Sequence, residues 1–171
     1  MKTITSISPI VEFGKIQTFI ANKNELDSIY NLRYRAYLSE NAIDSNSYNS
    51  FSDKYDKSVQ SINHVAKVDD EIIGSIRGCF YNPSKPEIAL PSFEVFYSEI
   101  EKEIGLGDSI FESCRFVIEP GTKKAFHTNL ALIKTNCILV YAREYQHTIT
   151  AVREKHVSFY EKMGFEKCSE L

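Results

Sequence analysis

The chain has 171 residues, of which 43% are hydrophobic and 25% are charged, a balance typical of a globular protein with one domain over residues 1–171. Its net charge of −3, with no basic run, gives no reason to expect a nucleic-acid partner. The sequence has neither a signal-peptide segment nor a run of about eighteen apolar residues. We therefore predict no membrane span and expect a cytoplasmic protein.

Four cysteines lie far apart, without a CxxC pair, in segments whose apolar composition indicates strands or helices. Buried, reduced thiols are therefore preferred to a metal site or a disulfide, and no metal is predicted. The four residues are Cys79, Cys114, Cys137 and Cys168.

The first half of the chain combines short strands with one helix. Residues 15–21 are a β-prone run, and residues 25–40 are predicted to form a helix. Residues 41–52 are rich in serine and asparagine, so a loop or a poorly packed short helix is expected, and this segment could act as a mobile lid. Residues 62–68 and 71–81 are predicted to pair as a hairpin.

In the second half, elements are indicated by helical spacing of apolar residues, by β-rich runs, and by proline and glycine stops. One helix is almost wholly apolar and must be buried against a sheet. The predicted elements are helices over 93–104, 126–145 and 153–163, and strands over 109–119, 147–152 and 165–168. This order predicts an α/β domain with a mixed sheet.

Several charged residues fall on segments that should be buried. Arg33 lies at the edge of the predicted apolar face of its helix, and a half-buried guanidinium needs an anionic partner. Asp53, Asp56 and Glu112 are the candidates. Glu112 and Arg115, three apart on a predicted strand, should point to opposite faces of the sheet. These charges either form an ion network that only organises the fold, or they bind substrate and transfer protons.

The carboxyl-terminal segment places Tyr160 near the end of a helix, before Gly164 as a possible left-handed cap and Phe165 at the start of a strand. Taken alone, this is a helix stop with core aromatic residues. After a strand and a long buried helix, it resembles the GNAT acyltransferase superfamily. That resemblance implies a GNAT-like, mixed, mostly antiparallel central sheet of six to seven strands with flanking helices and splayed central strands. It also makes Tyr160 the candidate general acid for the departing thiolate.

The amino-terminal half resembles a narrower branch, the acyl-homoserine-lactone synthases and the long-chain N-acyl amino acid synthases. The shared pattern is an arginine followed four residues later by an aromatic, a DxxD pair, an arginine on a hairpin strand, and an ExxRF strand. In this chain the pattern is Arg33 with Tyr37, Asp53 with Asp56, Arg77, and Glu112 with Arg115 and Phe116. The resemblance covers about residues 25–165. The residues that it implies in substrate binding are Arg33, Asp53, Asp56, Arg77, Arg115 and Phe116.

Departures from the related families narrow the expected activity. Lactone synthases carry an acidic residue where this chain has Phe51, and they carry a tryptophan, which this chain lacks. Acetyl-CoA-using members have a glycine-rich loop where only Gly121 remains here. The preferred function is transfer of an acyl chain from a phosphopantetheine thioester, on acyl carrier protein or coenzyme A, to a small amine, expected to be an amino acid. A lactone synthase, an N-acetyltransferase and a ligand-sensing module remain as alternatives.

Acyl transfer needs stabilisation of the oxyanion, which strand N–H groups freed by splaying can provide. The pantetheine phosphate should meet free amides at the amino end of the long helix. The residues assigned to these contacts are Val117 and Ile118 on the strand, and Thr122, Lys123, Lys124 and Ala125 at the helix. The two lysines are alternatively ordinary surface residues. Glu112 is the candidate base for the amine, unless its role is to hold Arg33.

Acceptor and donor contacts follow from the same chemistry. An amino acid carboxylate needs a bidentate arginine, and Arg77 or Arg115 could provide it. The phenylalanines available for an acyl cleft, or alternatively for the core, are Phe80, Phe93, Phe96 and Phe116. The basic residues available to dock an acidic carrier protein are Lys123, Lys124, Arg143, Arg153 and Lys155.

Overall fold

Six strands form one sheet in which the spatial order of the strands follows their order in the chain. The first five strands pair antiparallel with their neighbours, whereas the fifth and sixth pair parallel. The computed structural model describes residues 8–87 and 89–169. Its strands are β1 (Val11–Phe13), β2 (Ile16–Ile20), β3 (Ser61–Val68), β4 (Glu71–Tyr81), β5 (Ile110–Ile118) and β6 (His147–Ile149). The predicted mixed, mostly antiparallel sheet is confirmed.

Local sequence determines the central hairpin. Asp69 and Asp70, between β3 and β4, both have positive φ, the conformation that a tight two-residue hairpin turn requires. Aspartate tolerates this region better than most residues because its short polar side chain bonds locally. The hairpin predicted over residues 62–68 and 71–81 is therefore confirmed.

Four helices pack on the two faces of the sheet. They are α1 (Leu26–Ser39), α2 (Phe93–Glu103), α3 (Ala125–Ala142) and α4 (Glu154–Lys162). Val117 packs against α1 while its neighbour Phe116 packs against the core beside α3, so the two helices cover opposite faces of β5. None of the helices in residues 8–87 and 89–169 combines the length and apolar character needed to cross a bilayer.

Two elements differ from the expectation. The three residues of β1 were too short a run to be recognised, yet they pair with β2 through a turn at Gly14. The predicted final strand over residues 165–168 is wrong, because this segment forms neither strand nor helix. The preceding strand β6 ends at Ile149 instead of residue 152, so it offers only a short edge for a further strand. Residues 41–52 have neither a helix nor a strand, so the expected loop is confirmed.

A buried polar chain connects the sheet to α3. His64 Nδ1 lies 3.0 Å from Asn136 Oδ1, and Asn136 Nδ2 donates to Ser113 Oγ at 3.0 Å. Burial disfavours the charged imidazole and lowers the pKa of His64 to about 4, although the bond to Asn136 opposes this shift. The folded protein therefore keeps His64 neutral in a pH range where the unfolded chain binds a proton.

This depressed pKa predicts an acid-sensitive fold. Between about pH 6.5 and pH 4 the unfolded state binds more protons than the folded state at His64, so stability falls as the pH falls, by about 3 kcal/mol over that interval. Urea unfolding at pH 7 and pH 4 measures this loss. His64→Gln keeps an N–H donor for Asn136 but does not titrate, so we expect its loss of stability to be smaller by about that amount. Equal losses in the two proteins would contradict the prediction.

Candidate active site

A gap opens between the two parallel strands. β5 pairs with β6 only from Ile110 to Glu112, opposite His147–Ile149. β5 then continues to Ile118, while β6 has ended. Because Glu119 donates its N–H to Ile73 on β4, alternation along the strand directs the N–H of Ile118 to the opposite side, toward the gap. The splayed strands implied by the sequence are confirmed, and we call the space beyond Glu112 the wedge.

A bulge in β5 lies at the wall of the wedge. The pairing of β4 with β5 shifts between Ser75 and Arg77, so that Arg115 and Phe116 together oppose one residue of β4. Arg115 has φ of +51°, a conformation that costs free energy for a non-glycine residue. The bulge reverses the alternation, so that Glu112 and Arg115 lie on the same face of the sheet. The expectation that they point to opposite faces is wrong for this reason.

Asp53 is the centre of a buried ion network on this face. Arg77 donates from Nη1 to Asp53 Oδ1 at 2.6 Å and from Nη2 to Oδ2 at 3.0 Å. Arg115 donates to Asp53 Oδ2 from Nε at 3.0 Å and from Nη2 at 2.7 Å. Burial alone would raise the pKa of Asp53, but the two guanidinium groups hold it well below its usual value. The carboxylate is therefore ionised under all ordinary conditions.

Asp56 holds the inner part of the network. Arg33 donates from Nη1 to both carboxylate oxygens of Asp56, at 2.8 and 2.9 Å, and from Nη2 to Asn63 Oδ1 at 2.6 Å. Arg77 Nη1 also approaches Asp56 Oδ1 at 2.9 Å. Arg33 is fully buried, not half-buried as expected, and its partner is Asp56; Glu112 does not contact it.

The DxxD spacing has a local cause. Asp53 caps a short 3-10 helix, Lys54–Lys57, by accepting the Tyr55 N–H at 2.9 Å, and Asp56 accepts the Asp53 N–H at 2.9 Å. This reciprocal capping fixes the two carboxylates side by side before any arginine binds them. The spacing of three residues therefore builds a rigid acceptor for two guanidinium groups.

Glu112 lies at the point where the wedge begins. Its side chain is 1% exposed, and its Oε2 accepts the Ser92 N–H at 2.9 Å and the Ser92 hydroxyl at 2.8 Å. Burial raises the pKa of Glu112, while the bonds from Ser92 and the charges of Arg77 and Arg115 oppose this shift. A buried carboxyl group with a raised pKa is a stronger base than an exposed one.

Tyr160, on α4, faces the wedge. Its hydroxyl interacts with the side chain of Thr150, just beyond β6, and Cys114 and Tyr37 lie close enough to act on its charge. Burial raises the pKa of Tyr160, so the phenol keeps its proton at neutral pH. Phe165 packs edge-on against its ring at a centroid distance of 5.5 Å. The structure thus brings Tyr160 together with the face that carries Arg115 and Cys114.

The turn before α3 is more self-contained than expected. The N–H groups of Thr122 and Ala125 donate to the carbonyls of Glu119 and Thr122, at 3.2 and 3.4 Å, and the N–H of Lys124 donates to Thr122 Oγ1 at 3.3 Å. Only Lys123, among the four residues expected to bind phosphate, has an amide without such a partner in the described part of the chain. The prediction of free amides over residues 122–125 is therefore wrong for three of the four.

The expected acyl cleft is not formed by the four phenylalanines. Phe80 stacks on Phe111 and Phe116 packs beside α3, whereas Phe93 and Phe96 belong to the cluster beside α2. Phe80 and Phe116 therefore lie on one face of the sheet, and Phe93 and Phe96 lie on the other. A groove of about 590 Å³ does lie beside α2. Its aromatic lining consists of Tyr55, Tyr81, Phe93 and Tyr97.

The five basic residues expected to dock a carrier protein do not form one patch. Lys123 and Lys124 precede α3, and Arg143 follows it. The 18 residues of that helix separate them by about 27 Å. Lys155 forms an ion pair with Glu40 at the end of α1. Any docking surface therefore uses a subset of these residues.

Sequence reasoning missed several residues of the site. The rings of Phe51 and Tyr37 pack edge to face, and their centroids lie 5.0 and 6.0 Å from Arg115 Cζ. Ser92 and Thr150 bond the two candidate catalytic groups. Tyr37 was part of the recognised pattern, but a serine, a threonine and a phenylalanine on loops carry no signal of their own. No group of three or more His, Cys, Asp or Glu side chains within residues 8–87 and 89–169 is arranged to hold a metal.

Solved structures share this fold at low sequence identity. FeeM, an N-acyl amino acid synthase from uncultured soil microbes, has a TM-score of 0.75 at 15% identity, over 91% of this chain and 81% of that chain. An acetyltransferase of Trypanosoma brucei has a TM-score of 0.60 at 18% identity, over 91% of this chain and 96% of that chain. At these identities the likeness shows the fold alone.

The sequence itself matches one family model. A search of curated protein sequences returned no match. The model of the FeeM N-acyl amino acid synthases, in contrast, matches residues 28–171, which include every residue of the ion network, Glu112 and Tyr160. The chain therefore belongs to the FeeM family of N-acyl amino acid synthases, and it is an N-acyltransferase.

Proposed function

We propose that this N-acyltransferase moves an acyl chain from the phosphopantetheine arm of acyl carrier protein to the α-amine of an amino acid. The observation that carries the proposal is the wedge between β5 and β6, which Tyr160 faces. An extended pantetheine arm has amide groups that can bond the unpaired edge of β5 as a further strand would. Such pairing would place the thioester beside the bulge and the Tyr160 hydroxyl.

The turn before α3 favours a carrier protein over coenzyme A. Coenzyme A carries a pyrophosphate and a ribose phosphate, and binding it tightly requires several free amides. Here Gly121 is the only glycine of the turn, and most of the amides donate within it. Protein-bound phosphopantetheine carries one phosphodiester, for which the helix dipole of α3 with Lys123 or Lys124 suffices.

The chemistry needs one new bond between heavy atoms, one broken bond and three proton transfers. The amine nitrogen attacks the thioester carbon, and the oxyanion that forms is stabilised by N–H groups of β5 that face the wedge. The carbon–sulfur bond then breaks, and Tyr160 donates its proton to the departing thiolate. The amine gives up its proton to Glu112, directly or through water, and this proton finally restores the phenol.

The proposal is tested by supplying the protein with acyl carrier protein loaded with acyl chains of several lengths, together with a mixture of amino acids. We expect free carrier thiol and N-acyl amino acids in equal amounts, measured by thiol titration and mass spectrometry. The same acyl chains on coenzyme A are expected to react more slowly. A lactone product, thiol release without a conjugate, or ligand binding without turnover would each contradict the proposal.

Tyr160→Phe removes the proposed acid while keeping the ring. We expect turnover to fall roughly ten- to a thousand-fold with the fold intact, because the thiolate must leave without a proton donor. Single-turnover rates and circular dichroism measure the two properties. Tyr145→Phe is the matched control: Tyr145 is also partly buried, but it stacks on Phe80 and Phe111. If the two variants are equally active, Tyr160 has no part in proton transfer.

Glu112→Gln keeps an oxygen that can accept both bonds from Ser92 but removes the base. We expect a folded protein whose turnover is lower by roughly a hundred-fold. Since the base must be deprotonated, wild-type activity should fall as the pH drops through the raised pKa of Glu112. This acidic limb of the pH–activity profile should be absent in Glu112→Gln.

Ser92→Ala tests the role of the Glu112 carboxyl in a second way, through the pH dependence of activity. The Ser92 hydroxyl favours the ionised carboxylate, so its loss should move the acidic limb of kcat/KM to higher pH. An acidic limb that stays in place in both the Ser92 and Glu112 variants would assign the proton transfer to another group.

A further inference from the structure

The three arginines of the ion network differ in their access to solvent. The side chains of Arg33 and Arg77 are 0% exposed, whereas that of Arg115 is 32% exposed. Arg77 uses both Nη groups on Asp53 and Asp56, and Arg33 uses both on Asp56 and Asn63. Of these three guanidinium groups, only that of Arg115 can therefore meet a substrate.

Arg115 keeps N–H donors that no side chain in the described ranges, 8–87 and 89–169, is shown to use. Its Nε and Nη2 both donate to a single oxygen, Asp53 Oδ2, and the Tyr37 hydroxyl lies against the guanidinium as well. A guanidinium carries five N–H donors, more than these two partners engage. The remaining donors suffice for a bidentate bond to a planar anion.

Arg115 shares its contact carboxylate with another arginine. Three guanidinium groups, Arg33, Arg77 and Arg115, form contact ion pairs with two carboxylates, Asp53 and Asp56. Glu112 is bonded to Ser92, and its charge acts on Arg77 and Arg115 without a contact ion pair. Within the described part of the chain, the only carboxylate in contact with Arg115 is therefore Asp53, which Arg77 also uses, and Arg115 lies at the exposed end of the network.

The position of Arg115 is fixed at a cost in free energy. Its backbone adopts φ of +51°, and its guanidinium lies against the edge-to-face pair formed by the rings of Phe51 and Tyr37. Tyr37 lies close to both Arg115 and Tyr160, so the cation and the proposed acid border the same space. A structural ion pair alone would not require a strained, partly exposed cation at this place.

We propose that Arg115 binds the carboxylate of the amine acceptor and thereby restricts the acceptor to amines that carry an anion beside the nitrogen. This inference rests on the proposed function, since it assigns a role within the same site. Arg77, the other arginine that the sequence offered for this carboxylate, is excluded by its burial, and both of its Nη groups already donate to Asp53.

The test compares a panel of small, aliphatic and aromatic L-amino acids with the primary amides of the same residues. The binding of each to the full chain is measured by calorimetry in the presence of a non-reactive thioether analogue of the acylated phosphopantetheine arm. We expect the acids to bind at least roughly ten-fold more tightly than the amides, because a charge-assisted bidentate pair is lost in the amides. At neutral pH a larger share of the amides than of the acids has an unprotonated α-amine, the form that reacts. This difference favours the amides and therefore works against the expected result.

Variants assign the preference to one residue. In Arg115→Gln the ratio of acid to amide affinity should approach one, and in Arg115→Lys, which keeps the charge but not the fork, it should be intermediate. Arg35→Gln is the control: Arg35 is an exposed arginine of α1 that pairs with Glu119, and its loss should leave the ratio unchanged.

The possible results separate this inference from the proposed function. Equal binding of acids and amides by the wild-type protein, or binding of neither, overturns the role of Arg115 whatever the transferase assay gives. A preference for acids that persists in Arg115→Gln also overturns it. If that variant instead loses affinity for the phosphopantetheine analogue, the anion at Arg115 is the phosphate of the donor. Preferential binding of acids without any turnover supports the inference and refutes only the proposed reaction.

Discussion

The site depends on keeping two guanidinium groups, Arg33 and Arg77, fully buried, and a third, Arg115, partly buried beside them. Burying an ion costs several kcal/mol unless a counter-ion and hydrogen bonds replace the lost water. Asp53 and Asp56 provide both, because the reciprocal capping of their short helix places the two carboxylates side by side. The network then ties α1 and this helix to β4 and β5. The wall of the wedge is rigid for the same reason.

The wedge has a simple origin in strand pairing. Parallel pairing between β5 and β6 ends after three residue pairs, and the bulge at Arg115 turns β5 away from the regular ladder. The backbone groups that lose their partners become available to a ligand with amides of its own. Tyr160 reaches this space because Gly164, with φ of +90°, ends the turn after α4 and lets Phe165 pack against the tyrosine ring. An acyltransferase needs this combination of an open strand edge and a protonated phenol.

Much of the fold was accessible from sequence because its signals are local. The hairpin of β3 and β4, the position of α3 and the DxxD pair each follow from short-range patterns of composition and spacing, but α3 buries one face only and leaves Phe126 and Tyr141 exposed. The sequence does not predict the face of the sheet on which the Arg115 side chain lies. That face is set by the bulge in β5, and a bulge depends on how β5 pairs with β4. The false cleft of phenylalanines has a related cause, since aromatic spacing does not reveal which face of the sheet a strand residue takes. The closed turn before α3 depends on the Thr122 hydroxyl, whose bond no spacing rule predicts.

The shared use of Asp53 by two arginines constrains how this site can diverge. A single substitution that removes one of Asp53, Asp56, Arg33 and Arg77 would leave a buried group of opposite charge without its partner. These four positions can therefore change only together or through a destabilised intermediate. Phe51 and Tyr37 carry no charge, are only partly buried, and lie against the Arg115 guanidinium. Drift in substrate preference should therefore accumulate at such uncharged rim positions, while the charged centre stays fixed among relatives that acylate different amines.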